Sequence, residues 1–212
     1  MSDPVVPLFP LPNVLLYPGA VLPLHVFEPR YVELVEDMNA AGLDRIALAL
    51  LQPGWKDRYF DQPPFYEIGG LGRLISTQPA QDGRYNILLE GLGRARLTEA
   101  PSARKYRCVS AQQLDESEAP TDGGKLRQQL LDALSSWSED QVELDPSRGV
   151  SYLSDVLLLT LGVPIEEKQR IFEQLDPVAR AHAVLDHFGA AEAQLKRLGQ
   201  IKDQSGDHAA WN

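Results

Sequence analysis

The sequence predicts an α+β fold, a mostly antiparallel β region followed by a helical bundle. Three observations carry that reading. Seven of the 16 prolines lie within the first 30 residues, and proline fixes φ and lacks a donor, so this opening is extended and broken into short pieces. Strand-length apolar runs separated by turn residues continue to about residue 114, and beyond 116 the apolar spacing becomes helical. Charge divides at the same joint. Residues 1–115 hold 11 Lys and Arg against 13 Asp and Glu, whereas residues 116–212 hold 9 against 17.

In chain order, residues 14–17 and 20–27 read as strands, with Asn13 and Pro18-Gly19 as turn points. Pro29 suits the first turn of a helix with the stripe Leu34, Val35 and Met38, and Gly42 suits its C-terminal cap. Residues 45–51 read as a buried strand. Residues 66–77, 84–90, 94–99 and 104–114 read as further strands, with turns at Asp82-Gly83 and Gly91. Leu126, Leu130, Leu134 and Trp137 recur at helical spacing. Residues 150–161 form a second, apolar helix stopped by Gly162 and Pro164, and Pro164 opens a short third one with Ile171, Phe172 and Leu175. Asp176-Pro177 is a cap and first-turn pair for a last helix with Val178, Ala181, Leu185, Phe188 and Leu195 on one face. The expected division is a β domain over 1–115, a polar linker over 116–124, helices over 125–202 and a frayed tail over 203–212.

Composition narrows the function classes. A formal net charge of −10 disfavours nucleic acid, which asks for a basic surface. The only cysteine, Cys108, excludes an intrachain disulfide framework and reads as a small, buried strand residue. The four histidines lack ligand spacing; His182 and His187 sit about 140° apart around one helix and cannot share a metal. No metal or cofactor is expected. The apolar runs are too short to span a bilayer and no signal peptide is visible, so the expected location is the cytoplasm, without membrane contact.

Motifs with catalytic overtones do not complete. Gly69-Gly70-Leu71-Gly72 and Gly91-Leu92-Gly93 fall short of G-x-G-x-x-G and read as strand bulges or bends. Lys125 follows Gly123-Gly124, yet Leu126 stands where a phosphate loop needs Ser or Thr. No serine lies in G-x-S-x-G, and His25 with Glu28 lacks an evident nucleophile. Residues 52–66 stand out instead, with Trp55, Tyr59, Phe60, Phe65 and Tyr66 among Gly, Pro and charges. Exposed loop aromatics often anchor partners, and the alternative is that they fold back and plug the β domain. Trp55 and Tyr59 are the two expected at the surface.

Two runs carry a family resemblance, Pro7-Leu8-Phe9-Pro10-Leu11-Pro12-Asn13-Val14-Leu15-Leu16-Tyr17-Pro18-Gly19 and Leu22-Pro23-Leu24-His25-Val26-Phe27-Glu28-Pro29-Arg30-Tyr31. They resemble the opening of the Lon protease N-terminal domain. Glu67-Ile68-Gly69, Asp82-Gly83-Arg84 and Leu89-Glu90-Gly91-Leu92-Gly93-Arg94 are similar to its central strands and later hairpin. Leu153-Ser154-Asp155, Glu167-Lys168-Gln169 and the run from Leu175-Asp176-Pro177 to Arg180 resemble its helical part. The resemblance implies a PUA-like, partly closed β-barrel followed by a helical bundle, acting as a stand-alone substrate-binding domain without ATPase or protease parts.

The expected function is therefore a non-catalytic module that binds unfolded or damaged protein segments or a protein partner, with a separate Lon-type ATPase as a possible partner. Phe9, Tyr17, Phe27, Trp55, Tyr59 and Phe60 are the candidate contacts, aided by open strand edges. Arg30 is expected to pair with Glu28 or Glu33 at the strand-to-helix corner. The alternative is an RNA-binding barrel using Arg94, Arg96, Arg104, Lys105 and Arg107 as a basic strip; a hydrolase built on His25 ranks third.

Overall fold

The computed structural model describes residues 3–116, 123–137 and 148–206. The chain forms two compact units, Met1–Asp115 and Glu116–Asn212. The first contains β1 (Val5–Leu11), β2 (Val21–Val26), α1 (Pro29–Ala41), β3 (Arg45–Leu50), β4 (Ile68–Pro79), β5 (Tyr85–Ala100) and β6 (Cys108–Gln113). Among the described residues these six strands form one mixed sheet ordered β2-β5-β4-β3-β1-β6, and β6 also pairs with β5. The pairings of β5, β4, β3, β1 and β6 thus run in a circuit, with β2 attached outside it. β1 runs parallel to β3, and the other pairings are antiparallel.

The proline-rich opening departs from expectation by forming a continuous strand. β1 changes partner midway: Val5–Pro7 register with β6 and Leu8–Leu11 with β3. Proline's φ suits extended backbone, and each ring removes only one ladder donor. The predicted helix follows as read, with Leu34, Val35 and Met38 buried and Gly42 closing it at φ 65°.

Two glycine expectations need correction. The sequence predicts a turn at Gly91, but β5 runs unbroken for 16 residues. It also predicts a strand at 14–17, which is instead a buried segment without ladder partners. Both differences have one cause. The two Gly-Leu-Gly-Arg copies lie face to face, with Gly70 opposite Arg94, Leu71 opposite Gly93 and Gly72 opposite Gly91. Residues 16 and 17 lie directly on this bare seam. A Cβ at Gly70 would come within 2.4 Å of the Leu16 carbonyl oxygen, and one at Gly91 within 2.0 Å of the Tyr17 carbonyl oxygen. Asp82-Gly83 is the real turn, with φ of 61° and 71° suiting a tight hairpin.

Two apolar clusters fill the unit. Val6, Leu8, Ala47, Ala49, Leu71, Ala95, Leu97, Val109 and Ala111 form one, drawn from all five strands of the circuit. The other packs Tyr31, Leu34, Val35 and Met38 of α1 against Phe9, Ile46, Leu48, Ile87 and Leu89. β3 supplies alternate residues to both, which explains its uninterrupted apolar run.

The second unit contains α2 (Gly123–Trp137), α3 (Val150–Thr160), α4 (Ile165–Phe172) and α5 (Pro177–Gly206). Leu130, Leu134, Leu153, Leu157, Phe172 and Val184 are buried. Asp176 caps α5 by accepting the Val178 amide at 2.9 Å. Leu195, expected on the inner face, is exposed. Helix α5 extends to Gly206, past the expected start of the tail; residues 207–212 and linker residues 117–122 lie outside the described residues. Buried Arg180 pairs with Glu116 at 2.7 Å and Asp155 at 3.3 Å.

Gly91→Ala should lower unfolding free energy by about 2–3 kcal/mol through overpacking. Gly189→Ala, on open helix surface, should raise it by roughly 0.5–1 kcal/mol. Paired denaturant melts check both. Hydrogen bonds from Arg170 and contact with His187 lower the Glu167 pKa from 4.5 to about 2. A depressed folded-state carboxylate stabilises above its unfolded pKa and loses that contribution as pH falls through the folded one. Acid melts should therefore lose a small increment between pH 4.5 and 2, and Glu167→Gln should flatten that limb.

Candidate functional site

The segment between β3 and β4 carries the aromatic cluster, and its ends are tied down. The Gln52 amide donates to the Pro64 carbonyl and the Tyr66 amide to the Leu50 carbonyl, both at 2.9 Å. Arg107 donates to the Pro63 carbonyl at 2.7 Å, lies 4.7 Å from the Phe65 ring centre and pairs with Glu99. Gly54 (φ 84°) leads into a single 3₁₀ turn, Trp55–Arg58, and Gln62 (φ 53°) redirects the chain after it.

A clamp from the start of α1 holds the middle of the loop. The Tyr59 hydroxyl donates to Glu28 Oε1 at 2.5 Å, and Arg30 Nε donates to Glu28 Oε2 at 3.1 Å. The Arg30 guanidinium sits 4.6 Å from the Tyr31 ring centre and 4.8 Å from that of Tyr59. Burial, then the hydrogen bond to Glu28, pushes the Tyr59 hydroxyl pKa up, so it stays a donor. Arg30 thus takes Glu28, and Glu33 pairs with Lys105.

Beside this loop lies a cleft of about 530 Å³, lined by Pro10, Tyr31, Phe60, Gln62, Pro101 and Tyr106 together with four cations, Arg30, Arg104, Lys105 and Arg107, and one acid, Glu99, with which Arg107 pairs. Burial and a 2.9 Å hydrogen bond to Asp37 raise the Tyr106 pKa to about 12. Aromatic faces and fixed donors suit binding of an apolar segment with some polar character.

The six candidate contacts separate. Phe60 is 86% exposed on the cleft wall. Trp55 and Tyr59, the two expected at the surface, are half-buried and meet edge to face at 5.5 Å, so they mainly support Phe60. Phe27 is 60% exposed but lines a neighbouring depression with Pro29, Val32 and Lys105. Phe9 and Tyr17 are corrections, at 5% and 2% exposure. Phe9 stacks on Tyr31 at 4.2 Å inside the core, and Tyr17 is pressed onto the glycine seam. Within the loop, Phe65 packs on an apolar cluster while Phe60 faces solvent.

The open edge of β2 accepts a strand poorly. The Gly91 amide donates to the Ala20 carbonyl, so by alternation Val21, Pro23 and His25 turn their backbone outward, and Pro23 has no N–H to offer. The basic strip also dissolves. Arg94 is buried, while Arg96, Arg104, Lys105 and Arg107 pair with Glu67, Asp37, Glu33 and Glu99. His25 engages Asn86 at 2.8 Å rather than a nucleophile. Among the described residues no cluster of His, Cys, Asp or Glu could hold a metal, and no helix is long and apolar enough to cross a membrane.

Residues 5–188 match the family described as the ATP-dependent protease La (LON) substrate-binding domain. The chain belongs to that family. Lon protease 2 of Sorangium cellulosum is 30% identical over 199 residues, covering 87% of this chain and 24% of that protein. Lon protease 2 of Myxococcus xanthus is 25% identical over 210 residues, covering 93% of this chain and 25% of that protein. The chain thus spans about a quarter of the length of these curated relatives. The Lon N-terminal domain protein from Xanthomonas campestris has the same fold, with a TM-score of 0.62 at 23% identity, covering 86% of this chain and 98% of that one. The N-terminal domain of the Mycobacterium avium complex Lon protease also scores 0.62, at 16% identity and 88% coverage of this chain. Membership makes a substrate- or protein-binding module the coarse function of this Lon-family domain.

Tyr59→Phe should lower stability by about 1 kcal/mol, the loss of one partly exposed hydrogen bond to a carboxylate. Trypsin cleavage at exposed Lys56 and Arg58 should accelerate about fivefold, read by timed digestion.

Proposed function

We propose that this chain is a non-catalytic module that takes up exposed apolar segments of unfolded or damaged polypeptide through the cleft of its first unit. The observation that carries this reading is Phe60, a large aromatic side chain held 86% exposed on a loop clamped at both ends and in its middle. An exposed ring on a fixed loop beside a cleft offers an anchor for an apolar side chain. A pre-ordered loop also reduces the entropy lost on binding. Family membership supports the same reading, because the family is described by substrate binding.

Within this proposal the strand circuit is a PUA-like barrel, and α2 to α5 are a helical bundle. The module works in the cytoplasm without chemistry of its own, with a separate Lon-type ATPase as its partner, a reading in keeping with the family's description as part of an ATP-dependent protease. RNA binding is not favoured, because Arg94 is buried, Arg107 is held by Glu99 and the Pro63 carbonyl, and Glu33, Glu36 and Asp82 surround Lys105 in the neighbouring depression.

Phe60→Ser should weaken binding to a reduced, alkylated model protein about tenfold while leaving the thermal midpoint unchanged. Phe27→Ser, in the neighbouring depression, should change affinity less than twofold. Unaltered binding by the Phe60 variant, measured by fluorescence anisotropy, would remove the cleft as the site.

A further inference from the structure

We infer that the cleft selects apolar or aromatic segments that carry a carboxylate close to the anchoring side chain. This deepens the substrate-binding reading and rests on it. The four cations lining the cleft divide by role. Arg30 and Arg107 are committed to the fold: their side chains are 21% and 12% exposed, and they hold Glu28, the Tyr59 carbonyl, Glu99 and the Pro63 carbonyl. Arg104 and Lys105 differ. Their side chains are 57% and 73% exposed, whereas their partners Asp37 and Glu33 are 27% and 23% exposed. The positive ends face water above less exposed carboxylates.

Donors remain at those ends. Arg104 meets Asp37 through Nε at 3.3 Å, and Asp37 already accepts the Tyr106 hydroxyl. Lys105 meets Glu33 at 3.2 Å through an ammonium with three donors. Exposed ion pairs of this kind are weak, so an incoming carboxylate shares the cation at little cost. Phe60, Tyr31 and Tyr106 line the same cleft, which puts apolar contact and charge contact within one short segment. A basic segment would instead bring like charge against Arg104 and Lys105.

The anion-binding capacity is local. Lys105 also lines the depression beside the cleft, where the acids Glu33, Glu36 and Asp82 outnumber Lys105 and Arg84. One or two carboxylates fit between these acids, but the regular phosphates of a nucleic acid would meet them. An acidic peptide is therefore favoured over RNA.

The test uses the full chain and three fluorescent peptides sharing one aromatic core, flanked by Asp and Glu, by Gln, or by Lys. At about 50 mM salt the acidic peptide should bind about tenfold tighter than the basic one, and the gap should narrow to about twofold near 500 mM. Arg104→Gln with Lys105→Gln should bring the acidic and basic peptides within about twofold of each other, with a thermal melt confirming the fold. Equal affinity for all three peptides would overturn this inference and leave the substrate-binding reading intact. No binding by any peptide would overturn both. A single-stranded RNA displacing the acidic peptide at equal concentration would assign the anion preference to nucleic acid and overturn the inference. If the double variant fails to fold, the peptide and salt series on the unaltered chain decides alone.

Discussion

The first unit depends on a seam of glycines that lets a non-strand segment lie against a sheet. Gly70, Gly72 and Gly91 meet across β4 and β5, and the chain at Leu16 and Tyr17 rests on them. A side chain at this crossing would lift that segment away. Its backbone is satisfied on leaving the seam: the Gly19 amide donates to the Gly91 carbonyl, and the Gly91 amide to that of Ala20. These bonds start β2 in register on β5, and β2 delivers the chain to Glu28 and α1.

From there the constraint reaches the cleft. Glu28 precedes α1 and Arg30 lies in its first turn, so packing of Leu34, Val35 and Met38 fixes both relative to the core. Arg30 lies against two tyrosine rings while pairing with Glu28, and Glu28 accepts the Tyr59 hydroxyl. Trp55 and Tyr59 spend their surface on this support, and Phe60 is left outward. The exposed anchor is the last step of a chain of contacts that starts in the core.

Much of this was legible. Period and punctuation located α1, β3 and the helices α2 to α5, because each element buries a face whose spacing the sequence repeats. The aromatic loop stood out by composition, and the Glu28–Arg30 pair followed from proximity. Less legible was which aromatic stays outside. Phe9 looked like a surface contact among prolines, yet β1 is buried on both faces. Tyr17 sits in an apolar run whose partner, the glycine seam, is more than 50 residues away. The isolated signal for Gly91 was a turn signal, and only its neighbours across the ladder reverse that reading.

The sequence by itself determined the order of strands before helices, the buried face of α1, the family and the loop that bears the aromatics, since each follows from residues close together in the chain. The tertiary structure decided which of those aromatics meets solvent, which cations are committed to the fold and which stand at the cleft mouth. Those outcomes depend on Glu28 meeting Tyr59, Asp37 meeting Arg104 and Glu33 meeting Lys105, pairs separated by 31 to 72 residues. Local pattern carries no information about such distant partners, and burial of the intervening core brings them together.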